Sequence, residues 1–195
     1  MRESFQTDST TKYTQLTKGR DGDRSRLALR GGFGTAIGAM QPEDFMREAI
    51  RLASAGVQGG RGGPFGCVVV RRGEVVGRGA NCVTSTNDPT AHAEVVAIRE
   101  ACTRLGTFQL SDCELYASCE PCPMCLAAIY WARIPTVYYG NDRRDAAAHG
   151  FDDDFIYRQI PLAPGQRAIA MKPLLQDEAR ESLDLWTAKA DKVRY

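Results

Sequence analysis

Two short segments of this chain carry side chains that typically bind zinc. The first is the run Thr90-Ala91-His92-Ala93-Glu94, and the second, residues 119–125, contains Pro-Cys-Pro-Met-Cys. His92, Cys122 and Cys125 supply one imidazole and two thiolates, the ligand count of a catalytic zinc that keeps one open coordination position. A fold that uses these ligands must bring both segments to one point, and this requirement constrains the topology more than any other feature.

The spacing of the two cysteines fits the start of a helix. Cys122 and Cys125 are three residues apart, so on a helix they project from nearly the same face. Pro121 and Pro123 favour a helix that begins here, where the positive end of the helix dipole promotes the thiolate form. A lone histidine is usually structural, and a lone Cys-x-x-Cys also fits a redox pair or buried thiols, but together they are more specific. Cys119 is a rival ligand, although a fourth protein ligand would close the site.

The ligand set also predicts a type of reaction. A zinc centre with two thiolates and a neutral imidazole is formally neutral, so it polarises water less strongly than an all-histidine centre. A nearby base is then needed, and Glu94 lies two residues beyond His92. We predict hydrolytic deamination, in which water attacks an sp² carbon and Glu94 transfers the proton to the ring nitrogen and the leaving amine. The alternative from a different class is a zinc-stabilised binding module, in which Glu94 has no required role.

Apolar periodicity and turn residues predict alternating helices and strands, and therefore an α/β layered sheet. Pro42 suits a first helical position, Arg72-Gly73 is typical of a hairpin turn, and Thr90 can cap a helix that is closed by Gly106. The predicted helices are 42–56, 90–106, one from the cysteine-rich turn to about 133, and 177–189. The predicted strands are 65–70, 74–80, 114–117 and one through 137–139.

The composition is typical of a cytoplasmic enzyme. No apolar run approaches the roughly 18 to 20 residues of a membrane span, and no apolar signal-peptide core follows the N-terminus. Seven cysteines are an odd number, and three of them lie within seven residues, which argues against a secreted disulfide framework and for a reducing compartment. The net charge of +1 gives no basic excess for nucleic acid.

Residues 1–39 differ from the rest of the chain. They contain nine Ser/Thr and carry a charge of 7 − 4 = +3, which leaves 18 − 20 = −2 for residues 40–195. A segment with so little apolar surface cannot offset its ordering entropy. We therefore predict a disordered extension over residues 1–39 and a zinc-dependent deaminase domain over residues 40–195.

His-x-Glu followed by Pro-Cys-x-x-Cys is the signature of the zinc deaminases. The similarity to deaminases extends to further segments, namely residues 62–66, 87–94, 118–125, 127–133 and 150–153. On these runs the chain resembles the bacterial guanine deaminases of the cytidine/deoxycytidylate deaminase superfamily, over roughly residues 42–195. The resemblance implies a three-layer α/β/α fold with a five-stranded mixed sheet, one zinc per chain, a homodimer, and conversion of guanine to xanthine and ammonia.

The resemblance also implies roles for individual residues. Phe65 would stack on the purine, Asn81 would hydrogen-bond to it, and Asp153 would pair with ring N–H groups or assist proton transfer. Trp131 and Phe151 would form walls of the pocket, and the C-terminal segment, which ends at Tyr195, would close the site of its own or of the neighbouring subunit. The ordinary alternatives are that Phe65 and Trp131 belong to the core, that Asn81 stabilises a turn and that Asp153 caps a helix.

Other substrates share the same zinc chemistry. A tRNA adenosine deaminase is the main alternative, but it needs a positive surface for phosphates, and residues 40–195 carry a net −2. Another aminated purine, a nucleoside or a triazine would also fit the predicted reaction. The free base guanine, without a membrane or nucleic-acid partner, is the substrate that the resemblance favours.

Overall fold

A mixed four-stranded sheet lies at the centre of the fold. The computed structural model describes residues 40–195, and the predicted extension over residues 1–39 lies outside the described residues. In chain order the elements are α1 (Pro42–Gln58), β1 (Gly66–Arg71), β2 (Glu74–Ala80), α2 (Val83–Thr86), α3 (Ala93–Leu105), β3 (Cys113–Cys119), α4 (Pro123–Trp131), β4 (Thr136–Asn141), α5 (Arg143–Ala148), α6 (Asp153–Gln159), a 3₁₀ turn (Pro164–Gln166) and α7 (Gln176–Ala188).

The strand order of the sheet is β2-β1-β3-β4. Strand β1 is antiparallel to β2 and β3, whereas β3 and β4 are parallel, with Leu115 opposite Val137. The mixed sheet is confirmed, but the expected fifth strand is wrong for residues 40–195. Residues 170–174, between α6 and α7, have no regular structure and make no ladder with β4, which is therefore an edge strand in this part of the chain.

Helices cover both faces of the sheet. Successive residues of β1 point to opposite faces, and both sets are buried. Val68 and Val70 pack with Phe45 of α1, whereas Cys67 and Val69 pack with the helices α3 and α4 on the other face. The expected α/β/α layers follow, because a sheet that is apolar on both faces needs a helical layer on each.

Helix α3 approaches the sheet unusually closely. Gly77 and Gly79 of β2 face the helix, and a Cβ on Gly79 would lie 2.8 Å from Ala97 N. The helix presents only small side chains here, including the fully buried Ala93 and Ala97. This contact fixes the N-terminus of α3 against the end of β2. His92, rather than Thr90, is the residue that precedes the helix, while Thr90 hydrogen-bonds to Asp88 in the preceding turn.

None of the helices between residues 40 and 195 combines the length and apolar character that a membrane span requires.

Candidate active site

The candidate site lies at the edge of the sheet where β2, β3 and β4 end and β1 begins. Because β2 and β3 are each antiparallel to the strand between them, their carboxyl ends meet at the same edge. Asn81 follows β2, Phe65 precedes β1, and the cysteine-rich turn follows β3. The N-termini of α3 and α4 start from this edge, so the fold brings the two ligand segments together.

Three candidate zinc ligands converge there. Nδ1 of His92 lies 3.6 Å from Sγ of Cys122 and 3.6 Å from Sγ of Cys125, and the two sulfurs are 3.6 Å apart. With Zn–S near 2.3 Å and Zn–N near 2.0–2.1 Å, a tetrahedral centre has S···S of about 3.8 Å and S···N of about 3.6 Å. The donor set and its spacing therefore fit zinc, and these three residues form the only such group among residues 40–195.

Cys119 does not join this group. Its Sγ donates to the carbonyl oxygen of Asp142 at 3.7 Å, and the thiol is buried at the end of β3. Burial raises the pKa of Cys119 to about 11. The rival ligand considered from the sequence is thus a protonated thiol that ties β3 to the start of α5.

The two ligand sulfurs are electrostatically coupled. Contact with Cys125 and with the imidazole of His92 lowers the pKa of Cys122, whereas contact with Cys122, followed by burial, raises the pKa of Cys125. The two thiols therefore do not ionise independently of each other. Because zinc binds thiolates, binding to both sulfurs releases a proton and depends on pH.

Glu94 lies directly beside the ligands. Its side chain is buried, and Oε2 accepts from Sγ of Cys125 at 3.4 Å. Burial raises the pKa of Glu94 to about 7. A carboxyl with a pKa near neutrality can both take up and release a proton, which is the property a general acid–base group needs.

The side chain of Asn81 is oriented by the backbone. Its Oδ1 accepts from the N–H groups of Gly63 at 3.1 Å and Val83 at 3.2 Å. Both donors point at the oxygen, so the amide presents its Nδ2 group to the adjacent cavity. Gly62 lies so close to Asn81 that a Cβ there would meet its backbone and its side chain. Asn81 can therefore act towards a ligand as a hydrogen-bond donor.

A cavity of about 230 Å³ connects these groups. This is below the 300–1,000 Å³ or so that is typical of drug-sized ligands, and it suits a single heterocycle. The rings of Phe65 and Phe151 meet edge to face with centroids 4.7 Å apart at the cavity wall. The other lining residues are Gly63, Asn81, Val83, Thr84, His92, Glu94, Glu120, Cys122 and Asp153.

Asp153 lies across the cavity from the ligands. It is the first residue of α6, and its carboxyl is partly buried beside the cavity that His92 and Cys122 also line. Burial, and then the charge of Cys122, raises the pKa of Asp153. Asp152 occupies the N-cap position of α6 and makes no side-chain capping bond, and Asp153 is the first helical residue, so the helix-cap alternative does not describe Asp153.

The sequence pattern of this site matches one deaminase family. The model of the cytidine and deoxycytidylate deaminase zinc-binding region matches residues 39–141. The chain belongs to this family. Within it, the chain is 50% identical over 156 residues to the guanine deaminase of Bacillus subtilis, which covers 80% of this chain and 100% of that relative.

Solved structures and other relatives are also deaminases. The crystal structure of the Bacillus subtilis guanine deaminase aligns with a TM-score of 0.78 over 80% of this chain and 99% of the other. A guanine deaminase from Nitrosomonas europaea is 30% identical, with a TM-score of 0.56 over 73% of this chain and 72% of the other. The tRNA-specific adenosine deaminase of Aquifex aeolicus is 43% identical over 51% of this chain and 66% of that relative.

Two residues that were expected to line the pocket, Trp131 and Tyr195, lie away from it within the single chain. Trp131 is the last residue of α4, nine residues beyond Cys122, and a helix rises about 1.5 Å per residue, so it lies about 13 Å from the ligand end. Tyr195 contacts Trp131 with ring centroids 5.8 Å apart, in an apolar groove between α3 and α4. Trp131 is 60% exposed and Tyr195 is 70% exposed. Neither residue lines the cavity that the ligands share within one chain.

Other lining residues were missed from the sequence. Glu120 lines the cavity, and its position inside the Cys-Glu-Pro-Cys run was the available signal. Gly63 belongs to the run 62–66 that carries the family resemblance, but no role was predicted for it. A Cβ on Gly63 would lie 3.2 Å from the ring of Phe65 and 3.3 Å from that of Phe151, so the absence of a side chain makes room for both rings.

Proposed function

We propose that this chain catalyses the hydrolytic deamination of guanine to xanthine and ammonia, with one zinc ion per chain. The observation that carries the proposal is the cavity, which combines the ligand triad and a buried carboxylate with an aromatic pair and two polar side chains. Its volume of about 230 Å³ suits one heterocycle. The 50% identity to a guanine deaminase supports the choice of guanine.

The proposed zinc ligands are His92, Cys122 and Cys125. Zinc bound there lowers the pKa of water and so provides a nucleophile at neutral pH. Glu94 would take one proton of the attacking water and pass it to the ring nitrogen as the oxygen adds to C2 of guanine. It would then carry the proton of the new C2 hydroxyl to the exocyclic amine, so that the bond from C2 to that nitrogen breaks, ammonia leaves and the C2 carbonyl of xanthine forms. The pKa of about 7 suits Glu94 to both halves of this transfer.

Purine recognition is assigned to the opposite wall of the cavity. The Nδ2 group of Asn81 would donate to an acceptor such as O6, and the carboxylate of Asp153 would accept from a purine N–H. The rings of Phe65 and Phe151 would contact the faces and edges of the base. Adenine carries an amine where guanine has O6, so the donor of Asn81 would be left unpaired, which is a strong basis for discrimination.

A homodimer is part of the same proposal. Strand β4 has an unpaired edge in the described part of the chain, and such an edge is a template for another strand. The segment before α7 exposes Ile169 (76%) and Leu174 (83%), and α7 buries none of its residues although Leu183 and Trp186 are apolar. Apolar surface of this extent favours coverage by a second copy of the chain.

The dimer would also give roles to the two aromatic residues that lie outside the pocket. Tyr195 ends an exposed tail, so it would reach the pocket of the neighbouring subunit and close it over the base. Trp131 would then line the subunit interface next to that tail. A closing tail excludes water and completes substrate contacts only when substrate is bound.

A cytoplasmic location without a nucleic-acid partner completes the proposal. All seven cysteines, which lie in the described part of the chain, are free thiols, as expected in a reducing compartment. The net −2 of residues 40–195 offers no general attraction to phosphates.

Ammonia release tests the proposal directly. The zinc-loaded chain is assayed with guanine, guanosine, adenine, cytosine, cytidine and a tRNA anticodon stem-loop under the same conditions. We expect guanine to have the largest kcat/KM. A larger value for cytidine or for adenosine in RNA would refute the substrate but not the deamination chemistry. No ammonia from any of them would favour the zinc-stabilised binding module.

A further inference from the structure

Helix α6 holds a substrate residue with few contacts of its own. It contributes Asp153 as its first residue, and none of its residues is buried. Most helices are fixed by a buried apolar face, so a helix without one depends on individual polar contacts for its position. The placement of the Asp153 carboxylate therefore depends on whatever holds α6.

One hydrogen bond joins α6 to the turn that carries the zinc ligands. The phenol of Tyr157 donates to the carbonyl oxygen of Pro121 at 2.9 Å. Pro121 is buried and directly precedes Cys122. Tyr157 is four residues after Asp153, and residues at this spacing lie on the same face of a helix. The face of α6 that presents Asp153 is thus the face that is bonded to the ligand turn.

The aromatic ring of Tyr157 also has a contact partner. The guanidinium of Arg143 lies 4.8 Å from the ring centroid, a cation–π distance. The backbone of Arg143 is bonded to the ligand turn, because its N–H donates to Oε2 of Glu120 at 3.0 Å. Glu120 and Pro121 are consecutive residues of that turn, so the hydroxyl of Tyr157 and the residue that covers its ring both contact the same turn.

We propose that Tyr157 is a positioning residue that sets the distance between Asp153 and the zinc ligands through its hydrogen bond to Pro121. This inference rests on the proposed function, because it assumes that Asp153 contacts the purine. Without the bond, α6 keeps its helical structure but loses its tie to the turn before Cys122. The base is then bound less tightly, while the ligands and Glu94 stay in place.

Tyr157→Phe tests this role, since it keeps the ring under Arg143 and removes only the hydroxyl. We expect KM for guanine to rise about tenfold, the size that one neutral hydrogen bond gives, with kcat within about threefold. Zinc content stays at one equivalent per chain. The matched control is Tyr116→Phe, which removes a phenol hydrogen bond of 2.8 Å to Glu114 on the α1 face of the sheet. It lowers Tm but leaves KM unchanged.

Binding without turnover shows whether the effect passes through Asp153. In chains that carry Glu94→Gln, the Kd for guanine is measured by equilibrium dialysis with and without Tyr157→Phe, and again with Asp153→Asn added. We expect the roughly tenfold weakening by Tyr157→Phe to fall below about twofold once Asp153 is replaced, because coupled residues are not additive.

Three results overturn the inference. They are an unchanged KM in Tyr157→Phe, a full tenfold effect that persists beside Asp153→Asn, and a rise in KM that is accompanied by loss of zinc and a drop in Tm larger than that of Tyr116→Phe. If the unaltered chain releases no ammonia from guanine and does not bind it, the proposed function itself has failed, which is a distinct outcome.

Discussion

The contact between β2 and α3 provides the strictest test of how the fold places the site. A Cβ on Gly79 would lie 2.8 Å from Ala97 N and 2.9 Å from the carbonyl carbon of Ala93, and closer still to its carbonyl oxygen. Ordinary contacts begin near 3.4 Å, so moving the 2.8 Å contact out to 3.4 Å requires a shift of at least 0.6 Å. The atoms that clash belong to the helix backbone, so Gly79→Ala must displace α3 itself.

The displaced backbone includes Ala93, which lies between His92 and Glu94 in the chain, so both of these side chains would move. Zinc–ligand distances tolerate only about 0.2 Å, and a misplacement of about 1 Å can lower a rate about 100-fold. We expect Gly79→Ala to lower kcat/KM for guanine by about 30- to 100-fold and to weaken zinc retention. Overpacking costs about 1–3 kcal/mol, which lowers Tm by about 2–12 °C for a chain of this size.

Gly77→Ala is the matched control. Its Cβ would lie 2.9 Å from Ala101 N, against the same helix but farther from His92. Metal analysis, thermal unfolding and steady-state kinetics of the two variants are compared. Both should lose a similar amount of Tm, and only Gly79→Ala should lose most of its activity. Wild-type zinc content and kcat/KM in Gly79→Ala, or an equal activity loss in both variants, would refute the reasoning.

Four further expectations concern the site and the two ends of the chain. Glu94→Gln should keep zinc and Tm but lose turnover towards the upper end of the roughly 100- to 10,000-fold range of general acid–base effects, measured by ammonia release. Cys119→Ser should retain one equivalent of zinc by metal analysis, whereas Cys122→Ser should lose it together with stability. Deletion of residues 192–195 should lower kcat/KM about tenfold. Mixing the deleted chain with Glu94→Gln chains then tests where the tail acts: activity should return if the tail of the Glu94→Gln subunit closes the site of its neighbour, but not if each tail acts only within its own chain. Deletion of residues 2–39 should leave kinetics and zinc content nearly unchanged, and insoluble protein would contradict the predicted extension.

The ligand triad could be predicted from the sequence because its geometry is local. Cys122 and Cys125 lie within one helical turn, and His92 and Glu94 flank the first residue of α3, so helix starts alone fix most of their arrangement. The sheet is needed only to bring the N-termini of α3 and α4 together, and the alternation of strands and helices in the sequence predicted such a sheet. The β1–β2 hairpin was similarly local, since Arg72 and Gly73 both adopt the positive φ of its turn.

Features that depend on distant parts of the chain were predicted less well. The fifth strand came from resemblance alone and is absent from residues 40–195. The pocket roles of Trp131 and Tyr195 also came from resemblance and stay predictions, since within one chain both residues line a groove between α3 and α4. The short helices α2 and α5, of four and six residues, are too brief to show a helical period. The link between Tyr157 and Pro121 spans 36 residues and has no sequence signature.

Burial divides the site into two unequal parts. The zinc ligands and Glu94 are carried by helix ends packed on the sheet, where Ala93 and Cys125 have no exposed surface. Asp153 lies on α6 and Tyr195 on the tail after α7, and neither of these two helices buries any of its residues. Elements with few buried contacts are the ones that move on binding and tolerate change. It follows that the candidate ligands and Glu94 are constrained by the stability of the core, whereas the contacts proposed for Asp153 and Tyr195 lie on segments whose replacement costs the fold little.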